Sequence, residues 1–214
     1  MGGGRFGSGA RLMVGMIVCG LLAGCASTPP ASRPLKKVND ACAIFEDRNG
    51  WYDETRKVAK KWGAPIHVQL AIIHQESGFR HNARPPRSKL FWFVPGGQST
   101  AFGYAQALDS TWENYKKNTG ARNANRDNFA DAVDFVGWYV DQSHRKCGIA
   151  KDDVRAQYLA YHEGQQGYNR RTFASKGWLL DTARRVEKNA EKYRQQLLRC
   201  RPEEEPKGRG GWFF

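Results

Sequence analysis

Three short stretches of this sequence carry side chains suited to acid–base work on a polar substrate. Glu76-Ser77 closes the apolar run Ala71-Ile72-Ile73-His74-Gln75. Gly103-Tyr104-Ala105-Gln106 stands before a segment that opens with Asp109 and Ser110. Ala160-Tyr161-His162-Glu163-Gly164 closes a third segment. A carboxyl at the end of an apolar helix loses part of its hydration, and desolvation raises its pKa. The partial negative charge of a helix C-terminus acts in the same direction. Such a group stays protonated near neutrality and can serve as a general acid. A lone Glu at a helix end is more often a solvated surface group. The two companion stretches shift the balance for Glu76 towards chemistry.

Other chemistries lack their residues. His67 and His74 lie seven apart, with no third ligand at metal spacing. His162-Glu163 is not the zinc-protease pattern, which needs another His along the helix. No glycine-rich phosphate loop and no Ser-His-Asp arrangement is visible, so neither a metal nor a cofactor is expected.

The elements that must position these groups read as helices almost throughout. Asp40 can cap a short helix through Ile44 and Phe45, and apolar positions recur at helical spacing from Trp51 to Trp62. Gly63 and Pro65 separate that helix from the next, which runs to about Glu76. A long loop, about 77–102, follows, with residues 84–100 rich in Pro, Gly and aromatics. Loops of this length are often functional. Phe91, Trp92 and Phe93 could form a groove wall or a membrane-facing patch. Asp109 or Ser110 can cap a helix to about Lys117, Asn128 one to His144, and Asp152 one carrying Tyr158. A last helix spans about 179–198. No period-two run competes, so the fold class is all-α.

The order Glu-Ser, then Gly-x-x-Gln, then Ala-Tyr-x-x-Gly resembles the catalytic domain of soluble lytic transglycosylases, related in fold to goose-type lysozymes. The resemblance covers roughly residues 62–193. It implies a lysozyme-like single domain with a long loop beside the cleft, acting on peptidoglycan glycan strands. It makes Glu76 the sole acid and base, cleaving the MurNAc–GlcNAc β-1,4 bond without water and leaving a 1,6-anhydro ring. It assigns Ser77, Gly103, Tyr104, Gln106, Tyr161, His162 and Glu163 to the substrate groove. Ser77 would support the carboxyl or substrate, Gln106 would contact sugar, and Gly103 would let the backbone approach it. Tyr161 would hydrogen-bond near Glu76. Two features depart from the pattern: His162 stands where Asn is usual, and the loop before Ala101 is longer. A conventional glycosidase needs a second carboxylate, for which Asp109, Glu163 and Asp181 are available. A hydrolytic muramidase and a non-catalytic wall-binding protein are the competing readings.

The ends of the chain concern export. Arg5 and Arg11 precede an apolar stretch, residues 12–23, too short for a stable membrane span. Leu22-Ala23-Gly24-Cys25 resembles the bacterial lipobox, in which the cysteine is lipidated. Ala26, rather than Asp, favours the outer membrane. Residues 1–24 are then a signal peptide, 25–38 a flexible tether, 39–200 the folded domain and 201–214 a disordered tail. The formal net charge is +13. In an exported protein that field suits wall polymer or lipid headgroups rather than nucleic acid. The protein is expected to be a monomer, anchored on the periplasmic side of the membrane. Cys42, Cys147 and Cys200 allow three single bridges in an oxidising compartment. Cys42–Cys200 is expected because it staples the ends of the domain, a loop closure worth on the order of 5 kcal/mol.

Overall fold

The computed structural model describes residues 1–2, 33–85 and 99–201. They form seven helices: α1 Ala41–Asp47, α2 Trp51–Trp62, α3 Ile66–Ser77, α4 Asp109–Thr119, α5 Phe129–Cys147, α6 Val154–Asn169 and α7 Gly177–Cys200. No strand occurs among the described residues; Phe102 and Ala107 form an isolated bridge. The all-α, lysozyme-like class therefore holds. Residues 3–32, 86–98 and 202–214 lie outside the described residues. With them go Cys25, the Phe91–Phe93 run and the aromatic C-terminus.

Local chemistry accounts for the helix boundaries. Asp40 caps α1 by accepting from Ala43 N at 3.1 Å, and Asn128 caps α5 by accepting from Asp131 N at 3.2 Å. Two starts differ from expectation by one residue. The cap of α6 is Asp153, not Asp152, and it accepts from Ala156 N at 3.0 Å. At α4 the boundary residue is Leu108, and Asp109 lies inside the first turn. The Asp109 N–H is instead taken by the Thr100 hydroxyl at 3.0 Å, from across the preceding turn. Helix α6 also continues past Gly164 to Asn169, with non-helical φ/ψ at Gly164 itself.

Helix α3 is the centre of the molecule. Every residue from Ile66 to Ile73 is buried, including His67 and Gln69, as befits a helix surrounded by others. It packs against α7 and α5, while α2 crosses α5 and α6 lies against both α5 and α7. Rings of Trp112, Tyr115, Phe135 and Trp138 fill the α4–α5 side at centroid separations of 5.2–5.9 Å. Gln69 Nε2 donates to the carbonyls of Thr55 and Ala64, at 3.0 and 2.8 Å, and so ties α3 to α2.

The ends of the helical body are joined. Cys42 on α1 and Cys200 at the end of α7 form a disulfide, with Cα atoms 6.2 Å apart. Beside it Gln196 accepts from Ala41 N at 2.8 Å and donates to Asn39 O at 3.0 Å. Cys147 is a free thiol, partly shielded at the end of α5. No helix among the described residues is long and apolar enough to cross a membrane.

Candidate active site

Glu76 lies in the last turn of α3, which Gly78 ends in a left-handed conformation, donating its N–H to His74 O at 2.9 Å. Glu76 is only partly exposed, and protein closes around its carboxyl. Burial lifts its pKa from 4.5 to about 7, against a hydrogen bond from Tyr158 that pulls it down. A residue so placed is half protonated near neutrality.

Helix α6 supplies two tyrosines to this carboxyl. Tyr158 is buried and hydrogen-bonded to Glu76. Tyr161 lies three residues on, on the same face. Its hydroxyl is close enough to Glu76 for their charges to interact, but it donates to Ala105 O at 2.6 Å. The ring of Tyr139 on α5 packs on Tyr161 at 4.9 Å, and its hydroxyl donates to Ala160 O at 3.3 Å. The end of α3, the 103–106 turn and α6 thus meet around one carboxyl. Tyr158→Phe is expected to raise the Glu76 pKa above its parental value, since the bond that favours the carboxylate is gone. A carbon-13 titration of the Glu76 side chain measures it; an unmoved midpoint would mean the hydroxyl does not bear on the acid.

Several residues assigned to the groove are engaged by the protein itself. Ser77 is buried and donates back to Ile73 O at 3.2 Å, so it supports its own helix rather than the carboxyl or a sugar. Tyr104 is core: its ring stands edge-on to Trp51 and Phe129, both at 5.6 Å. Gly103 is buried too, and it lies against the backbone of Arg126. A Cβ there would lie 2.1 Å from Arg126 O. Gln106 uses both amide hydrogens on protein, donating to Ala83 O and Gly103 O at 2.9 Å each. Only its Oε1 remains as an acceptor for a sugar hydroxyl.

Glu163 is likewise engaged by protein groups. Its side chain is 5% exposed and accepts from Lys176 Nζ at 2.7 and 2.8 Å, from Thr172 Oγ1, and from His162 Nδ1 at 3.0 Å. Burial alone would raise its pKa, but Lys176, Thr172 and His162 together bring it down to about 2. It fastens the turn before α7 onto α6. His162 remains exposed, edge-on to the exposed Trp178 at 5.2 Å.

The other carboxylates considered as partners are engaged elsewhere. Asp109 pairs with Arg126 at 2.7 Å, and Asp181 pairs with Arg184. Among the described residues no carboxylate acts on the Glu76 pKa, and residues 86–98 contain no Asp or Glu. No group of three or more His, Cys, Asp or Glu side chains converges as a metal site among the described residues.

Sequence reasoning missed Tyr158 and Arg126. Tyr158 looked like one more core position, although its spacing from Tyr161 already placed both on one helical face. Arg126 carries no motif. Its guanidinium bonds Thr100 O and Ala107 O at 3.0 and 2.9 Å, clamping the turn that holds Gln106. That turn also bears strain, for Gln106 has a positive φ of 48°.

Compared with known proteins, residues 13–200 match the family model described as transglycosylase SLT domain. No curated protein and no solved structure matches the chain.

Proposed function

Because the chain belongs to the transglycosylase SLT domain family, we propose that Glu76 alone serves as acid and then base in its reaction. Membership makes the protein a peptidoglycan lytic transglycosylase, a lyase acting on polysaccharide. In the proposed cycle, protonated Glu76 gives its proton to the oxygen joining N-acetylmuramic acid to N-acetylglucosamine, and the C1–O bond breaks. The substrate's own N-acetyl group supports the positive charge at C1. Glu76, now a carboxylate, takes the proton of the C6 hydroxyl, whose oxygen closes on C1 as a 1,6-anhydro ring. Glu76 ends the cycle protonated as it began, its first proton having left on the departing sugar oxygen, and no water is consumed.

One observation carries this reading: a carboxyl with a pKa near 7 that no second described carboxylate influences. A single group of that kind can be an acid in one half of the cycle and a base in the other. A hydrolytic enzyme of either standard geometry would need a partner carboxylate about 5–10 Å away. Digested sacculi are expected to yield anhydro-muropeptides, one water lighter than reducing-end products, by mass spectrometry. Reducing ends alone would replace this mechanism with a muramidase.

The N-terminus supports a companion proposal. With residues 1–24 removed and Cys25 lipidated, the domain would be held on the periplasmic side of the outer membrane by a tether of residues 25–38. Cys25→Ala is expected to abolish incorporation of labelled palmitate and release the protein from the outer-membrane fraction. Full retention in that fraction would exclude the lipid as the anchor.

A further inference from the structure

A cleft of about 660 Å³ opens between the start of α4, the second half of α5 and the end of α6. This volume is in the range of small-molecule sites. One part of its wall is neutral and polar, formed by Ser110, Thr111 and Asn114 of α4. Elsewhere in the lining stand two cations: Lys146 in the last turn of α5, and Arg170, the residue that ends α6. Both are exposed, and neither forms an ion pair with a described acid. Asn169 donates to Lys146 O at 3.2 Å and so holds their two elements together.

The electrostatics of the lining favour an anion. Among the described residues of the lining Glu163 is the only acid, and Lys176 already neutralises that carboxylate. The break in α6 at Gly164 turns the chain so that residues 164–167 form part of the wall. Tyr139 belongs both to this cleft and to the surroundings of the acid, through its contact with Tyr161. One ring contact, Tyr139 against Tyr161, thus separates the cleft lining from the residues around Glu76.

We propose that this cleft seats the peptide stem borne by a muramyl residue, with Lys146 and Arg170 taking a stem carboxylate. The inference rests on the transglycosylase reading, because peptidoglycan is what brings a carboxylated peptide beside the reacting sugar. Cation–carboxylate hydrogen bonds are the strong class, and a paired loss of two is expected to cost about tenfold in apparent affinity.

The test compares glycan strands bearing stems with the same strands stripped of stems by an amidase. The parent is expected to show a kcat/KM about tenfold higher on stem-bearing strands, a preference that weakens with added salt. In the Lys146→Gln/Arg170→Gln double variant that ratio should fall towards one. An unchanged ratio overturns the proposal. A second measurement covers a variant that is inactive on both substrates: calorimetric binding of a muramyl pentapeptide to Glu76→Gln protein, with and without the two charge removals. About tenfold weaker binding supports the cleft, and equal binding overturns it. Should the parent cleave neither kind of strand, the transglycosylase mechanism fails, and the same calorimetry still decides the cleft.

Discussion

Glu76→Gln is expected to lower glycan cleavage by roughly 10³-fold, the scale of a lost general acid, while leaving sacculus binding intact. The amide fills the same space but can neither deliver nor accept the proton. The variant should also be more stable than the parent, but only above about pH 4.5. Below pH 4.5 the carboxyl is protonated folded or unfolded, so Glu and Gln differ little. As pH rises from 4.5, the unfolded chain releases its proton while the folded chain keeps it to about pH 7. Parental stability therefore falls across that window, and above it the cost of an ionised, desolvated carboxylate is fully present. With partial exposure discounted, that cost is about 2–3 kcal/mol. Urea unfolding of both proteins at pH 4 and pH 8 measures it. Equal stability at both pH values would show that position 76 is not desolvated. Cleavage at the parental rate would remove Glu76 from the mechanism.

Gly103→Ala is expected to be the most damaging small substitution near the site. Its backbone has φ of 79°, and a Cβ would stand 2.1 Å from Arg126 O and 2.6 Å from the carbonyl carbon. Those atoms are main chain and cannot rotate away. Left-handed alanine costs about 1–2 kcal/mol and the forced displacement adds to it, for a total of about 3 kcal/mol or more. Gly148→Ala provides the control. It shares the positive φ, at 69°, but a Cβ there meets nothing within 4 Å, so it should lose only about 1–2 kcal/mol. The consequence for activity follows from geometry. Gly103 lies in the turn whose Ala105 carbonyl holds the Tyr161 hydroxyl, and whose Gln106 is bonded to Ala83. Gly103→Ala should thus lose kcat even at temperatures where it remains folded. Chemical denaturation of the two variants, with assays at low temperature, separates these effects. Similar stability losses in both would show that conformation alone, and not Arg126, demands glycine at 103.

The helices were readable because each rests on local rules. Asp40 and Asn128 announce caps, Gly63 announces an end, and apolar spacing marks the faces to be buried. At α4 the boundary slipped because a more distant partner replaced the local one, the Thr100 hydroxyl taking the Asp109 N–H. Motif order likewise brought out Glu76, Tyr161 and the 103–106 turn as neighbours. The partition of work among their neighbours was not legible. Ser77, Tyr104, Gly103 and Glu163 all sit in or beside the motifs, and all are spent on the scaffold: a helix carbonyl, an aromatic cluster, an adjacent backbone and a lysine.

Residue order by itself determined that this is an all-α chain of the transglycosylase kind with one carboxyl at the end of its most apolar helix. Tertiary structure decided how that carboxyl is tuned. Desolvation depends on everything packed around an atom, and hydrogen bonds such as that from Tyr158, or the clamp by Arg126, join residues whose separation in sequence carries no pattern. Periodicity can say which face of a helix turns inward; only the packed molecule says what that face meets there.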